Sequence, residues 1–479
     1  AVKQVSKSAA IHDRLSHPVI DSDGHWIEYE PAVREYVRRF VGDQSAARYE
    51  RITRVTLASG SRNSTMEQRQ KSKVAQPAWW TFPTKNTLDR ATAMLPKLLY
   101  ERLPDMGLDY SVLFPTSIMT MVPFMRDEEL RRGGTRALNT YAAELFRDYA
   151  DRMTPVAGIP IHTPQEAIEE LEHVKSLGLK VVMLAGLVNR HIPGEGGRST
   201  IWRDPLGLDS DYDYDPVWAK CLELKLVPTF HNSTQGLGFR ASTSNWVYNH
   251  VGHFAAAGDT LCKALFLGGV TRRFPKLKFA FLEGGAGWAC TLYSDLIRHW
   301  QTRNAKVLDN LDPANLDEKL FRSLAESYGD QLIRETVRDN PILRPDPVPP
   351  SNPDDFWRCD IKRAEDIRDL FVPNFYFGCE AEDPLNAAAF NQRLNPFGAR
   401  LNAILGSDIG HFDVKDMNEV LEESWELVEH GVLSEEELRD LTFTNPVHLF
   451  AGTDPDFFKN TVVETQTAAL MRPGARPIE

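Results

Sequence analysis

The chain of 479 residues is long enough for one elaborated domain or for two to three ordinary ones. Its 42% hydrophobic and 25% charged residues are typical of a globular protein with a large core. The net charge of −12 argues against nonspecific nucleic-acid binding and against an anionic membrane surface as partner. The cysteines form no C-x-x-C pair, and no apolar run reaches the about 20 residues that span a bilayer. We therefore expect a soluble cytoplasmic protein without nucleic-acid or membrane partners.

Apolar runs with the composition of buried strands recur along the chain. They span 17–25, 110–116, 156–161, 180–186, 226–231, 278–283, 375–380 and 403–408. Helical patterns separate most of them, and the clearest begins with Thr163 as a cap, followed by Pro164 and an acidic turn. This alternation predicts an α/β fold, a (β/α)8 TIM barrel. A doubly wound sheet is the alternative, but no Gly-rich phosphate turn or nucleophile elbow follows a strand.

Two long segments interrupt the alternation. Residues 26–109 are rich in charges and aromatics, among them Trp79 and Trp80, and residues 302–373 contain a proline-rich run. Both are too long for simple connections between barrel elements. We predict that they are mostly helical insertions of a single domain, 1–479, and that they cover the carboxyl ends of the strands. A covered barrel with an acidic surface also suggests a homo-oligomer acting on a small-molecule substrate.

Several strands end in side chains that can bind a metal. The residues at these strand ends are Asp23, His25, His231, Glu283 and Asp408. A charged side chain that closes an apolar strand avoids burial unless something there needs its charge. Because the active site of a TIM barrel lies at the carboxyl ends of its strands, we expect these side chains to meet. The sequence therefore predicts a metal site.

These residues resemble the amidohydrolase superfamily, in the branch related to aminocarboxymuconate-semialdehyde decarboxylase. The resemblance runs from about Val19 to Gly452. It is carried by the segments 20–25, 273–278, 282–285, 406–408 and 445–450, together with His231. The family pattern implies a His-x-His pair on the first strand, a His on the fifth and an Asp on the eighth.

The chain differs from that pattern at Asp23, which replaces the first His, and at Glu283, where family members often have a His. Both differences replace a nitrogen donor with a hard oxygen donor. Such a set tolerates Zn²⁺ but favours Fe or Mn relative to an all-His site. It also offers enough ligands for one or two divalent ions.

Further residues are assigned to the site. His253 is a sixth candidate ligand, which shares a helix face with His250. Asp408, His231 and His411 are the candidate catalytic residues, with Asp408 as the base and His411 in substrate contact or proton transfer. Asp21 lies deeper on the first strand and is expected to orient a ligand.

The predicted activity is hydrolysis of an acyl C–O, C–N or C–S bond by a metal-activated water. The resemblance equally implies nonoxidative decarboxylation of an aromatic or unsaturated acid, and the carboxylate-rich site favours hydrolysis slightly. Two other hypotheses stay open. One is an Fe/Mn dinuclear enzyme that activates dioxygen, and the other is a barrel without catalysis that serves as a structural subunit.

Overall fold

A computed structural model describes residues 5–57, 64–78, 84–116, 125–194, 199–342 and 352–472. Trp79 and Trp80 lie outside the described residues. Strands β1 to β11 span Ile20–Trp26, Tyr110–Pro115, Met153–Pro155, Ala157–Ile159, Val181–Leu184, Val188–Pro193, Ser199–Asp204, Val227–Phe230, Phe279–Phe281, Phe375–Glu380 and Asn402–Gly406. No helix among the described residues is long and apolar enough to cross a membrane.

Parallel pairing organises nine of the strands into two sheets. One sheet has the order β1-β2-β3 and the other the order β11-β10-β9-β8-β5-β4. Strands β3 and β4 belong to different sheets but are continuous in the chain, because only Val156 separates them. The N–H of Val156 donates to the Leu113 carbonyl of β2 at 2.9 Å, so the two short strands together act as one strand of the barrel. The opposite seam is closed by the N–H of Asp408 to the Asp23 carbonyl and the N–H of His25 to the Ile409 carbonyl, both at 3.0 Å. The two sheets thus form the (β/α)8 barrel that the sequence predicts.

Helices surround the strands. The α-helices span Lys7–His12, Glu30–Leu57, Met66–Ser72, Thr87–Met94, Pro96–Arg102, Glu128–Phe146, Pro164–Ser176, Asp215–Leu224, Trp246–His250, His253–Leu267, Val270–Arg273, Gly287–Arg303, Glu318–Tyr328, Gln331–Thr336, Glu365–Phe371, Asn386–Phe390, Val420–Glu429, Glu435–Arg439, Asn445–Thr453 and Glu464–Leu470. The helix Pro164–Ser176 begins with the predicted cap, because the Thr163 side chain accepts from the N–H of Glu166. An antiparallel hairpin, β6 with β7, follows β5 and lies outside the strands that the sequence predicts.

The two insertions make different contacts. In the first, the N–H of Gln76 donates to the Ser242 carbonyl and Ile27 donates to Ala93, each at 2.8 Å, so its described parts meet one another and the loop after β8. In the second, the helix Glu318–Tyr328 has no buried residue, and the Cys359 carbonyl accepts from Arg272 at 2.7 Å. That contact lies on the outer helices and gives no support to a position over the strand ends. The cover therefore stays a prediction.

The first strand is tied to both of its neighbours by one buried carboxylate. Asp21 accepts from the Ser111 hydroxyl at 2.5 Å and from the Ser407 hydroxyl at 2.8 Å. Its other oxygen accepts from the N–H of Ser407 at 2.9 Å. The pairing of β1 with β2 shifts register between Asp21 and Gly24, which marks a bulge, and bulges of this kind re-aim side chains next to active sites. Asp21 thus positions the segment that carries Asp23 and His25.

We expect Asp21→Ala to destabilise the fold by roughly 3 kcal/mol, because the Ser407 N–H and two hydroxyls lose their buried acceptor. Urea unfolding followed by circular dichroism measures the effect. Asp211→Ala, at an exposed position, is the control and should stay within about 0.5 kcal/mol of the parent. Equal unfolding midpoints for the Asp21 variant and the parent would contradict this account of the seam.

Candidate metal centre

Five of the six predicted metal ligands converge at the carboxyl ends of the strands. Nε2 of His231 lies 2.9 Å from Oε2 of Glu283 and 3.7 Å from Oδ1 of Asp23. Nε2 of His25 lies 3.2 Å from Oδ1 of Asp408 and 3.6 Å from Oδ1 of Asp23. One ligand atom from each of Asp23, His25, His231 and Glu283 falls within 4.8 Å of the others. The same holds for the set His25, Glu283, Asp408 and His411.

Two of these side chains depend on an unusual backbone conformation. Glu283 has φ 56° and Asp408 has φ 48°, in the left-handed region that residues other than glycine seldom adopt. Phe281 packs against Trp288 of the helix Gly287–Arg303 at 5.9 Å, so this side of β9 faces the outer helices. Regular alternation places Glu283 on the same side. The left-handed turn instead brings its carboxylate to the barrel mouth, and backbone strain of this kind clusters at functional sites.

The convergent atoms lack hydrogen-bond partners. Among the described residues, Oδ1 of Asp23, both ring nitrogens of His25, Nε2 of His231, Oε2 of Glu283 and both carboxylate oxygens of Asp408 are buried without one. A buried polar atom left unsatisfied costs about 1–3 kcal/mol, so a cluster of them needs a further partner. A divalent cation fits, because it accepts lone pairs from both imidazole nitrogen and carboxylate oxygen.

The electrostatics of the site follow from burial. Burial raises the pKa of Asp23, Glu283 and Asp408 well above the usual carboxyl range. Burial also lowers the pKa of His25 well below its usual value and that of His411 to about 4. Neutral imidazole is the form that binds a metal, and a cation reverses the effect of burial on the carboxyls by favouring their ionised form.

Asp408 and His411 form a pair at the edge of the cluster. Nδ1 of His411 lies 2.6 Å from Oδ1 of Asp408, and its Nε2 lies 3.2 Å from the Thr116 hydroxyl. The His411 ring stacks on that of His25, with centroids 3.9 Å apart. These contacts hold the imidazole in one orientation, beside a carboxylate that can take up a proton.

His253 lies outside the convergent groups. Its Nδ1 is 2.9 Å from the Ser233 hydroxyl, and its ring packs against Phe254 and His250 at 3.8 and 4.4 Å. The structure therefore places the sixth predicted ligand in an aromatic cluster beside the site, and not among the atoms that a metal would contact together.

Two carboxylates that sequence reasoning missed stand next to the predicted ligands. Glu380 ends β10, and Asp413 lies in the loop after β11. Each offers an oxygen within 4.8 Å of an oxygen of Glu283 and of the other. Glu380 closes the apolar run Phe375–Cys379 in the way that Glu283 closes its own strand. The same sequence pattern could therefore have identified Glu380. Asp413 carries no comparable signal, because no strand precedes it directly.

Without metal, the stability of the chain should fall as the pH rises from 6.5 to 9. Burial, reinforced by the charges of Glu283 and Asp413, raises the pKa of Glu380 from 4.5 to about 9. A carboxyl with a raised pKa favours the folded state most at low pH, and that contribution is lost progressively up to its folded pKa. The opposite contribution of His411, whose pKa falls from 6.5 to about 4, is complete above pH 6.5.

The measurement is the melting temperature of the chelator-treated protein between pH 6.5 and 9. Glu380→Gln should flatten the decrease, whereas Asp211→Asn, at an exposed position, should leave it as in the parent. Identical slopes for the parent and for Glu380→Gln would show that the pKa of this carboxyl is not raised in the folded chain.

The chain is similar to known proteins in sequence and in fold. A sequence family described as Amidohydrolase matches residues 79–329, a segment that includes His231 and Glu283. No curated protein matches the chain. The segments that carry Asp23, His25, Glu380 and Asp408 lie outside the matched residues.

Solved structures share the fold at low sequence identity. The chain is similar to 2,6-dihydroxybenzoate decarboxylase from Rhizobium, with 14% identity, a TM-score of 0.50 and coverage of 91% of this chain and 98% of that one. An amidohydrolase from Mycobacterium avium subsp. paratuberculosis K-10 has 16% identity, a TM-score of 0.53 and the coverages 91% and 98%. A dihydroxybenzoic acid decarboxylase from Polaromonas sp. JS666, solved with bound manganese and 2-nitroresorcinol, has 14% identity, a TM-score of 0.50 and the coverages 91% and 97%.

These structures are similar in fold, and the family match spans just over half of the chain. The family match disfavours the hypothesis that the chain is a barrel without catalysis. The chain belongs to the amidohydrolase family and is an enzyme of the amidohydrolase type.

Proposed function

We propose that the chain is a metal-dependent hydrolase that cleaves an acyl C–O, C–N or C–S bond. The observation that carries the proposal is the set of buried ligand atoms on Asp23, His25, His231 and Asp408 that converge without hydrogen-bond partners. All four stand where a barrel enzyme keeps its active site.

These four side chains, with Glu283 beside them, would hold a divalent ion. Two imidazoles with carboxylates suit Mn, Fe or Zn, and the oxygen donors favour Mn or Fe. The manganese bound to the Polaromonas decarboxylase supports this choice. When bound, such an ion lowers the pKa of a water molecule and polarises an acyl carbonyl.

Asp408 is the residue that we assign to proton transfer. Its carboxylate is buried beside the imidazoles of His25 and His411, where it can accept a proton from the attacking water. Nδ1 of His411, at 2.6 Å, fixes the orientation of that carboxylate, and Asp408 then returns the proton to the leaving group. Thr116 holds the far side of the imidazole.

The charge around the site favours hydrolysis over decarboxylation. In the described part of the chain, the ion pairs of Asp23, Glu283 and Asp408 are with histidines and not with Lys or Arg. A substrate acid would bring a further negative charge to these carboxylates. A neutral ester, thioester, lactone or amide brings none, and its binding needs no compensating cation of the protein.

Aromatic rings beside the ligands suggest the character of the acyl group. The ring of Phe254 lies 4.9 Å from that of His231, and the ring of Phe114 lies 5.7 Å from it. Trp246, at the start of the helix Trp246–His250, packs against Phe412 in the loop after β11, with ring centroids 5.1 Å apart. We propose that these rings receive an apolar or aromatic acyl portion.

The test uses the full-length chain, stripped of metal and reloaded with Mn²⁺, on a panel of neutral aryl and alkyl esters, thioesters, lactones and amides. We expect release of one carboxylic acid per turnover. Asp408→Asn should lower kcat by about 10²–10⁴-fold, because it removes the proton acceptor. Glu382→Gln, which changes an exposed carboxylate, should leave kcat unchanged.

The same preparation separates the alternatives. Release of CO₂ from an aromatic acid, without ester or amide hydrolysis, would replace the proposal by decarboxylation. Consumption of O₂ would favour the oxygen-activating enzyme. Binding of less than one metal per chain after reloading would contradict the site itself.

We also propose that residues 26–109 cover the site. Asp89 accepts from the N–H of Met417 at 2.8 Å, and Asn249 donates to the Gln76 carbonyl at 3.1 Å, so described parts of this segment bind the loops after β11 and β8. Limited proteolysis should leave the segment attached to the folded barrel. Release of this segment as an independently folded fragment would contradict the proposal. The same digestion shows whether residues 302–373 stay attached, and this segment serves as the comparison.

A further inference from the structure

A second group of carboxylates lies beside the proposed metal centre. Glu283, Glu380 and Asp413 each offer one oxygen, and the three oxygens lie within 4.8 Å of one another. Glu283 also belongs to the group formed with Asp23, His25 and His231. The two groups therefore meet at a single side chain.

The fold builds this group from neighbouring elements. Strands β9 and β10 are adjacent and parallel, with Phe281 paired to Phe377. Glu283 and Glu380 follow these paired positions at the same end of the barrel. Asp413 comes from the loop after β11, the next strand in the sheet. Three consecutive strand ends thus direct acidic side chains to one place.

The environment offers these oxygens no cation of the protein. The side chain of Glu283 is only 5% exposed, and its Oε2 approaches Nε2 of His231 at 2.9 Å without forming a hydrogen bond. Oδ1 of Asp413 is also buried without a partner. Among the described residues, no Lys or Arg forms an ion pair with Asp23, Glu283 or Asp408.

When all of them are ionised, the carboxylates at this site carry more charge than one divalent ion can offset. Five carboxylates stand at these strand ends: Asp23, Glu283, Glu380, Asp408 and Asp413. One divalent cation leaves three formal negative charges in a largely buried space, where unpaired charges are strongly disfavoured. A second divalent cation leaves one.

We propose that Glu283, Glu380 and Asp413 hold a second divalent cation, next to the first, and that Glu283 is shared between the two. The second site presents only carboxylate oxygen, so it takes a hard ion such as Mn²⁺ or Mg²⁺. The first site offers both nitrogen and oxygen ligands, so it accepts a wider range of divalent metals. The inference rests on the proposed function, because it needs the first ion in place.

The experiment counts the ions. Full-length protein is stripped with a chelator, reloaded with Mn²⁺ alone, freed of excess metal by gel filtration and analysed for manganese per chain and by electron paramagnetic resonance. We expect two Mn²⁺ per chain and the signal of an exchange-coupled pair. Glu380→Gln and Asp413→Asn should each retain one Mn²⁺ with the signal of an isolated ion. The control Glu382→Gln should retain two.

Each other outcome is decisive. One Mn²⁺ per chain in the parent, unchanged in Glu380→Gln, overturns the second site and leaves the proposed function standing. No bound Mn²⁺ overturns the proposed function as well. Two Mn²⁺ retained in both Glu380→Gln and Asp413→Asn would place the second ion elsewhere. Circular dichroism checks the fold of each variant, and the parent stoichiometry decides the question even if one variant does not fold.

Discussion

The hydrogen bonds that Asp21 makes with Ser111 and Ser407 join the first strand to both of its neighbours. A barrel closes only when its first and last strands meet. Here the hydrogen bonds of Asp21 join them just below the candidate metal ligands. Asp23 and His25 follow Asp21 on the same strand, and Asp408 follows Ser407. The hydrogen bond from the N–H of Asp408 to the Asp23 carbonyl then fixes the distance between these two residues, which come from opposite ends of the sequence. Ligands from opposite ends of the sequence depend on this seam.

Charge is the second constraint. Buried carboxylates without Lys or Arg partners are tolerated in the folded chain when they are protonated or when they bind a cation. Both states preserve the fold, but only the second leaves ionised oxygens for chemistry. The energetics of folding and the binding of metal therefore involve the same atoms. Thermal stability reports on the occupancy of the site, because any ion that binds the folded chain alone stabilises it.

The sequence predicts most of this architecture because buried strands are apolar runs with polar ends. The strand ranges and the convergence of Asp23, His25, His231, Glu283 and Asp408 follow from that pattern. Glu380 could have been found in the same way. The left-handed turns and the position of Asp413 could not, because they depend on loop conformations that no local periodicity encodes. The hairpin of β6 and β7 was hidden by its exposed, polar composition. His253 packs against His250 and Phe254, and its spacing from His250 is typical of such a cluster as well as of a ligand pair.

The left-handed backbone at residue 283 has a consequence for how such sites diversify. Histidine, like asparagine and aspartate, is found with positive φ more often than most residues. A change between glutamate and histidine at this turn therefore exchanges an oxygen donor for a nitrogen donor while the strand and the turn keep their course. The bridging group would be lost with the carboxylate, and the softer donor would favour a different metal. In the proposed two-ion site, this one side chain would therefore decide how many ions are held, while the scaffold that carries it stays the same.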